Sequence, residues 1–332
     1  MSNFKNIVVI GATGLVGKEF VNLIEPEIFK KFNVLLVSNM HVGQYCPITN
    51  LKYVALTSID FSIKSIYINC ANSEQAKMIN DLMTKESIMI DNSSEFRMDY
   101  RVPLIVPEIN FEDIKKYNSK LISNPNCSTI ILAMLLNTFI KSGNAIKRVV
   151  VSTYQAASGA GKEGLDELQT QTKEFINNQE LTTSFWKQQY VYNTFVHNSP
   201  IDTNGYCQEE NKLINETKKI FNQDIPISPT CIRVPILRSH CESVNIEFRD
   251  EITYEKILHL IKGDNTLELI DNKNDHIFPS SVSSNNNHLV QVGHIRPDFS
   301  LEPGKGWNFW ISGDQLLRGA AYNAYQIMVK LL

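Results

Sequence analysis

Three side chains have the type and spacing to do chemistry: Cys127, Arg233 and His240. Cys127 stands in Ser123-Asn124-Pro125-Asn126-Cys127-Ser128-Thr129, directly before the long apolar run 128–140, so it falls in the first turn of a helix. An ordinary thiol is only a few per cent thiolate at neutral pH, and the thiolate is the nucleophile. A helix N-terminus lowers the thiol pKa, and its free N–H groups can hold a developing oxyanion. Position alone leaves open the commoner fate of a cysteine, a small buried hydrophobe. Cys46, Cys70, Cys207, Cys231 and Cys241 lack the setting and keep that reading. Arg233 and His240 share the stretch 230–248, TCIRVPILRSHCESVNIEF, ahead of a strand. His240 is the candidate general acid or base, because an imidazole titrates near neutrality. Arg233 can clamp a carboxylate through two parallel hydrogen bonds. Each has a bland alternative: a hydrogen-bonded histidine, and an arginine solvating a strand end. His197, His276, His288 and His294 lie in polar or loop-like text and attract no role. No His/Cys/carboxylate cluster has ligand spacing, so no metal is expected.

A second chemistry lies at the N-terminus. Gly11-Ala12-Thr13-Gly14-Leu15-Val16-Gly17 follows an apolar strand and opens a helix, the context a dinucleotide site requires. Gly11 permits the tight turn, Gly14 lets backbone approach a pyrophosphate, and Gly17 lets helix and sheet pack closely. The phosphates would lie on free N–H groups at the positive helix end. NAD sites usually carry an acidic residue about 20 residues further on. Here the second strand ends Val37-Ser38-Asn39-Met40, without a carboxylate, which favours NADP, although no arginine stands there either.

The elements that position these groups read as two sets. In the first third, 4–10, 33–38, 65–70 and 87–91 read as short apolar strands, with helices at 14–24 and from about 73. This βαβ alternation predicts a parallel sheet covered on both faces. After the turn 124–126 comes the helix 128–140. Strands such as 144–153 and 243–249 then predict a larger, partly antiparallel sheet; 285–287 reads as a loop and 315–332 as a last helix. At 332 residues and 43% hydrophobic, the chain is long enough for about two domains. The net charge is −3 and no Lys/Arg run stands out, which leaves nucleic acid and membrane surfaces unsupported as partners. The apolar run 130–136 is far shorter than the ~20 residues of a membrane span. No basic stretch followed by an apolar one marks a signal peptide. Six scattered cysteines without a CxxC pair suit a reducing, cytoplasmic setting.

Eight segments in order carry a resemblance along nearly the whole chain: GATGLVG at 11–17, DNSSEFRMD at 91–99, VPEIN at 106–110, SNPNCST at 123–129, YQAASGAGKEG at 154–164, EENK at 209–212, RVPILRSHCE at 233–242 and GDQLLRGAA at 313–321. The chain resembles the aspartate-β-semialdehyde dehydrogenases. The resemblance implies a Rossmann-like N-terminal domain, 1–126 with 315–332, and an α/β catalytic and dimerisation domain with a mixed sheet, 127–314. The site would lie in the cleft at the C-terminal ends of the parallel strands. It also implies NADPH-dependent reductive dephosphorylation of L-β-aspartyl phosphate to L-aspartate-β-semialdehyde through a cysteine thioester, reversible and phosphate-dependent, on the route to lysine, threonine, methionine and isoleucine.

The residue roles implied are as follows. Cys127 is the nucleophile, Asn126 helps to hold the intermediate, Gln155 orients the substrate, and His240 is the acid/base. Arg233 binds the α-carboxylate and Glu209 the amino group, while Arg97 and Lys212 bind phosphate. Thr13, Gly14, Leu15 and Val16 cradle the cofactor phosphates, within Gly11 to Gly17. Ser38, Met40 and His41 also bind the cofactor, and Ser158, Gly159 and Gln315 lie near the nicotinamide. The substrate's three charges are thus matched by two kinds of cation site and one anion. The chain departs from the family pattern at Met40-His41, where Arg-Ser is usual, and at Ser239, Gly293-His294 and Asp314-Gln315. A cytoplasmic homodimer or dimer of dimers, with a small-molecule substrate and no metal, is implied. The alternatives are a related acyl-phosphate reductase acting on N-acetyl-glutamyl phosphate, which needs no anion for a free ammonium, and an inactive nucleotide-binding homologue, in which Cys127 or His240 would be expected to be lost.

Overall fold

The computed structural model describes residues 4–332; residues 1–3, counted in the first expected domain, lie outside them. Two compact units divide the chain. One extends to Asn126 and resumes with Ala320–Leu332; the other is Cys127–Gly319.

In the first unit six strands form one parallel sheet: β1 (Asn6–Ile10), β2 (Asn33–Val37), β3 (Tyr53–Val54), β4 (Ser65–Asn69), β5 (Ile88–Asp91) and β6 (Leu121–Ser123). Their order, β3-β2-β1-β4-β5-β6, is that of the doubly wound dinucleotide-binding fold. Every residue of β1 and β4 is buried, which is why these strands read as continuous apolar runs. Alternate residues feed two cores. Ile7, Val9, Leu36, Ile66 and Ile68 pack with Phe20, Ala324, Ile327 and Met328. Val8, Ile10, Tyr67 and Met89 pack with Ala76 and Ile79 on the other face. The covering helices include α1 (Leu15–Leu23), α2 (Pro26–Lys31), α3 (Ser73–Leu82), α4 (Pro107–Asn110) and the C-terminal helix Tyr322–Leu331.

The C-terminal helix begins later than the expected 315. Asp314 Oδ1 accepts the N–H groups of Leu316 and Leu317, and Gln315 is bonded at both ends of its amide within the second unit. Residues 317–321 then make a single π-type turn, and the chain joins the first unit only at Ala320.

The second unit is built on a seven-stranded mixed sheet. In chain order its elements are α5 (Cys127–Ile140), β7 (Ile146–Gln155), α6 (Gly161–Ile176), β8 (Phe195–Val196), α7 (Gln208–Phe221), β9 (Ile227–Arg233), β10 (His240–Phe248), α8 (Tyr254–Lys262), β11 (Leu267–Leu269), β12 (Val290–Pro297) and β13 (Gly306–Gly313). The sheet order is β11-β12-β13-β10-β7-β9-β8, parallel at β7/β9 and β11/β12 and antiparallel elsewhere. Helix α5 has no charged residue and is buried from Ser128 to Phe139, as a helix apolar on all sides must be. Its Phe139 packs at 5.1 Å from Phe248 and 5.5 Å from Phe309. Strand β10 starts three residues before the expected 243, because His240 and Glu242 point inward in register with Val244 and Ile246. Among the described residues no helix is long and apolar enough to cross a membrane.

Candidate active site

Cys127 is the first residue of α5 and is partly buried. A Cβ on Gly319 would come within 2.7 Å of its Cβ and 3.0 Å of its Cα, so only glycine fits against the nucleophile candidate. The next residue of the helix, Ser128, accepts a 2.6 Å hydrogen bond from Gln155 Nε2 at the end of β7. The same amide donates to Glu209 Oε1 at 3.1 Å, while Gln155 Oε1 is buried and has no partner among the described residues.

Ala156, the residue after Gln155, organises the other side. Its N–H donates to His240 Nδ1 at 3.0 Å, and its carbonyl accepts from Arg233 Nη1 at 3.0 Å. The backbone N–H and C=O of one residue therefore hold both residues singled out from the sequence. Since Nδ1 accepts, the neutral imidazole carries its proton on Nε2, and Nε2 has no partner among the described residues. His240 is fully buried, and burial first, then the Arg233 cation, pushes its pKa down to about 3. A Cβ on Gly159 would lie 3.0 Å from His240 Cε1, 3.1 Å from Nε2 and 3.1 Å from Arg233 Nη1. Any side chain at 159 would crowd both groups. Behind His240, Gln315 Oε1 accepts the Ser239 N–H at 2.7 Å and Gln315 Nε2 donates to Ser158 Oγ. Ser239 itself is held at φ 68°, with its hydroxyl on Asn285 Oδ1. Ser158 and Gln315, expected beside the nicotinamide, thus brace the residue preceding His240.

Arg233 ends β9 and is 4% exposed. Its Nε donates to Asn198 Oδ1 at 3.3 Å, and its guanidinium carbon lies 5.5 Å from the centre of the Trp186 ring. Among the described residues no carboxylate lies within ion-pair distance of it. Burial lowers its pKa, opposed by the nearby Glu209. A buried cation without an anion is costly unless a ligand supplies one. Glu209, 5% exposed in the first turn of α7, accepts from Lys212 Nζ at 3.0 Å. Cys127, Gln155, Glu209, Lys212, Arg233 and His240 are therefore brought together within the second unit. Arg97 and Asn126 are buried in the first unit, where Arg97 Nη2 donates to Asn92 O at 2.8 Å.

The cofactor candidates Gly11 to Gly17, Ser38, Met40 and His41 fall in the first unit at the C-terminal ends of β1 and β2, whereas Ser158, Gly159 and Gln315 belong to the second. Gly11 has φ +73°, and a Cβ on Gly17 would stand 2.1 Å from Gly11 O. Gly14 caps α1 without any side-chain bond, so the first-turn N–H groups of Leu15 and Val16 are not met by a side-chain cap. Thr13 Oγ1, Ser38 Oγ and His41 Nδ1 form a chain with spacings of 2.9 and 3.2 Å. Met40 beside them is 84% exposed. The uncapped helix start and the close Gly11–Gly17 packing fit a dinucleotide pyrophosphate.

Residues 6–117 match the family model described as "Semialdehyde dehydrogenase, NAD binding domain", and residues 136–318 the one described as "Semialdehyde dehydrogenase, dimerisation domain". An aspartate-semialdehyde dehydrogenase of Prochlorococcus marinus is 36% identical over 98% of this chain and 95% of its own length. One of Bacillus subtilis is 34% identical over 98% and 97%. The chain belongs to the aspartate-semialdehyde dehydrogenase family. The crystal structure of aspartate semialdehyde dehydrogenase II from Vibrio cholerae, complexed with ASA, superposes with a TM-score of 0.91 at 34% identity, covering 99% of this chain and 98% of that one. The expected family, the α/β architecture and the NAD(P)-dependent oxidoreductase class follow from these matches, as does the presence of a dimerisation domain. Ala156 and Gly319 went unnoticed in the sequence although both lie inside the quoted segments; Trp186 and Asn198 carried no signal there at all.

Proposed function

We propose that the chain reduces L-β-aspartyl phosphate to L-aspartate-β-semialdehyde with release of phosphate, using Cys127 as nucleophile. The observation that carries this reading is the pair held by Ala156: a buried Arg233 with no carboxylate at ion-pair distance and an unpartnered Nε2–H on His240, both against Gly159, where any side chain would crowd them. Cys127 thiolate attacks the acyl phosphate, forming a thioester as the C–O bond to phosphate breaks, and phosphate departs toward Lys212. Arg233 takes the substrate α-carboxylate and Glu209 its ammonium, with Gln155 beside the acyl group and Asn126 before the nucleophile. The nicotinamide cofactor, when bound, supplies the hydride that the thioester accepts. His240 then acts as a donor. With Nδ1 receiving the Ala156 N–H, the neutral ring offers only Nε2–H, which stabilises the tetrahedral oxyanion until it collapses to aldehyde and expels Cys127 thiolate. This geometry favours hydrogen-bond donation over the proton abstraction expected of an acid/base histidine. Removing one such donor typically costs about 10²–10³ in rate.

NADP is favoured over NAD by the absence of a carboxylate at the end of β2 and by the Thr13, Ser38 and His41 donors there. A cytoplasmic homodimer or dimer of dimers completes the reading, with the matched dimerisation domain in its support. The test is phosphate-dependent reduction of NADP by L-aspartate semialdehyde, with NAD and with N-acetyl-glutamate semialdehyde run in parallel. Rapid reduction that needs phosphate and prefers the aspartyl substrate and NADP is expected. Reduction only with the N-acetyl substrate, or none by folded enzyme with reduced Cys127, overturns the assignment.

A further inference from the structure

We propose that Trp186 is a positioning residue for Arg233 and thereby sets how firmly the substrate carboxylate is held. The proposal rests on reading Arg233 as the carboxylate-binding cation. The guanidinium has three fixed contacts: the Ala156 carbonyl, Asn198 Oδ1 and the face of the Trp186 ring at 5.5 Å. The first two consume N–H donors; the ring consumes none. An aromatic face holds a cation by its quadrupole while leaving the remaining donors for a planar, bidentate carboxylate. A carboxylate in that place would compete with the substrate.

The chain around Trp186 is built to hold it there. Residues 177–194 contain no helix or strand, yet Trp186 is 3% exposed. Helix α6 supplies the support from residues spaced along one face. The buried Glu167 carboxylate accepts the N–H groups of Phe185 and Trp186, at 2.6 and 3.0 Å. Gln171 Oε1 accepts those of Tyr190 and Val191, at 2.7 and 3.1 Å. The indole N–H donates to Gly164 O at 2.9 Å, and a Cβ on Gly164 would stand 2.8 Å from the ring. Tyr190, with its ring centre 4.4 Å from that of Trp186, donates to Val234 O, next to Arg233. Fixed ring and dedicated scaffold coincide on a buried cation that has no carboxylate within ion-pair distance among the described residues.

The experiment compares Trp186→Leu, Trp186→Phe and Arg233→Ala in the full enzyme, measuring KM for aspartate semialdehyde, phosphate and NADP, kcat and thermal midpoint. Trp186→Leu is expected to raise KM for aspartate semialdehyde roughly 3- to 30-fold. KM for phosphate and NADP should stay within about twofold, and Trp186→Phe should recover most of the loss. Fluorinated tryptophan, which withdraws ring charge without removing the ring, should raise the same KM in wild type and not in Trp186→Phe, a comparison that holds Trp307 and Trp310 constant. If Trp186→Leu does not fold, this fluorination pair decides. If Arg233→Ala leaves KM for the semialdehyde unchanged, the carboxylate reading fails and the proposal with it. If Arg233→Ala raises KM while fluorination does not, or while all three KM values move together in Trp186→Leu and Phe rescues none, Arg233 keeps its role and the Trp186 proposal is overturned.

Discussion

Substituting Gly319 by alanine adds one methyl group where the structure has no room for it. The new Cβ would stand 2.7 Å from the Cys127 Cβ and 3.0 Å from its Cα. Carbon atoms are at their optimum about 3.5–4.0 Å apart, so one partner must retreat by roughly 0.8 Å or more. Cys127 heads a helix buried along its length, and Ile131 on that helix already fills the space beside Gly313. The movement therefore falls partly on the nucleophile. Overpacking of this kind costs about 1–3 kcal/mol of stability. Misplacing a reacting group by ~1 Å costs on the order of 10² in rate. We expect Gly319→Ala to lower the thermal midpoint by several degrees, to reduce kcat roughly 10- to 100-fold, and to slow alkylation of Cys127 by iodoacetamide, with cofactor affinity unchanged by fluorescence titration. A variant with wild-type kcat and wild-type alkylation rate would refute the claim that Gly319 positions Cys127.

The other predictions probe separate links. Cys127→Ala abolishes turnover while NADPH still binds; loss of binding in that variant counts against the helix-start assignment of Cys127. Ser239, held at φ 68°, should accept glycine within about 1 kcal/mol, because relief of backbone strain offsets the lost hydrogen bond to Asn285; valine there should destabilise by more, read from denaturant unfolding. Glu242 is fully buried with both carboxylate oxygens unpartnered, and burial raises its pKa well above the carboxylate range. Stability from its protonated form is complete below the unfolded pKa of about 4.3 and is lost as pH rises toward the folded value. Glu242→Gln should therefore gain on wild type as pH rises above the unfolded pKa of about 4.3; a gap that does not vary with pH would overturn the reasoning.

Much of this was legible in the chain, and the exceptions have physical causes. The buried parallel strands announced themselves because both faces of the first sheet are covered, and Gly11 and Gly17 marked a turn that no side chain could enter. Cys127 was visible through the turn and apolar helix around it. The start of β10 was misplaced because His240 and Glu242 are polar residues in buried register positions, which periodicity reads as a loop. The last helix was begun too early because a buried Asp314 and Gln315 fold the preceding segment into capped turns. Ala156 acts through its backbone N–H and C=O, which no residue type advertises. Trp186 sits in a segment without regular period, pinned by Glu167 and Gln171 from a helix that was not anticipated.

The most direct test of the account is the covalent step. Enzyme mixed with β-aspartyl phosphate in the absence of reduced cofactor should release about one phosphate per active site and carry an aspartyl group on Cys127 alone, found by peptide mass mapping, and adding NADPH should discharge it as aspartate semialdehyde. Reduction of the acyl phosphate with no label on Cys127, or with the label on another of the six cysteines, would contradict the thioester mechanism proposed for this site.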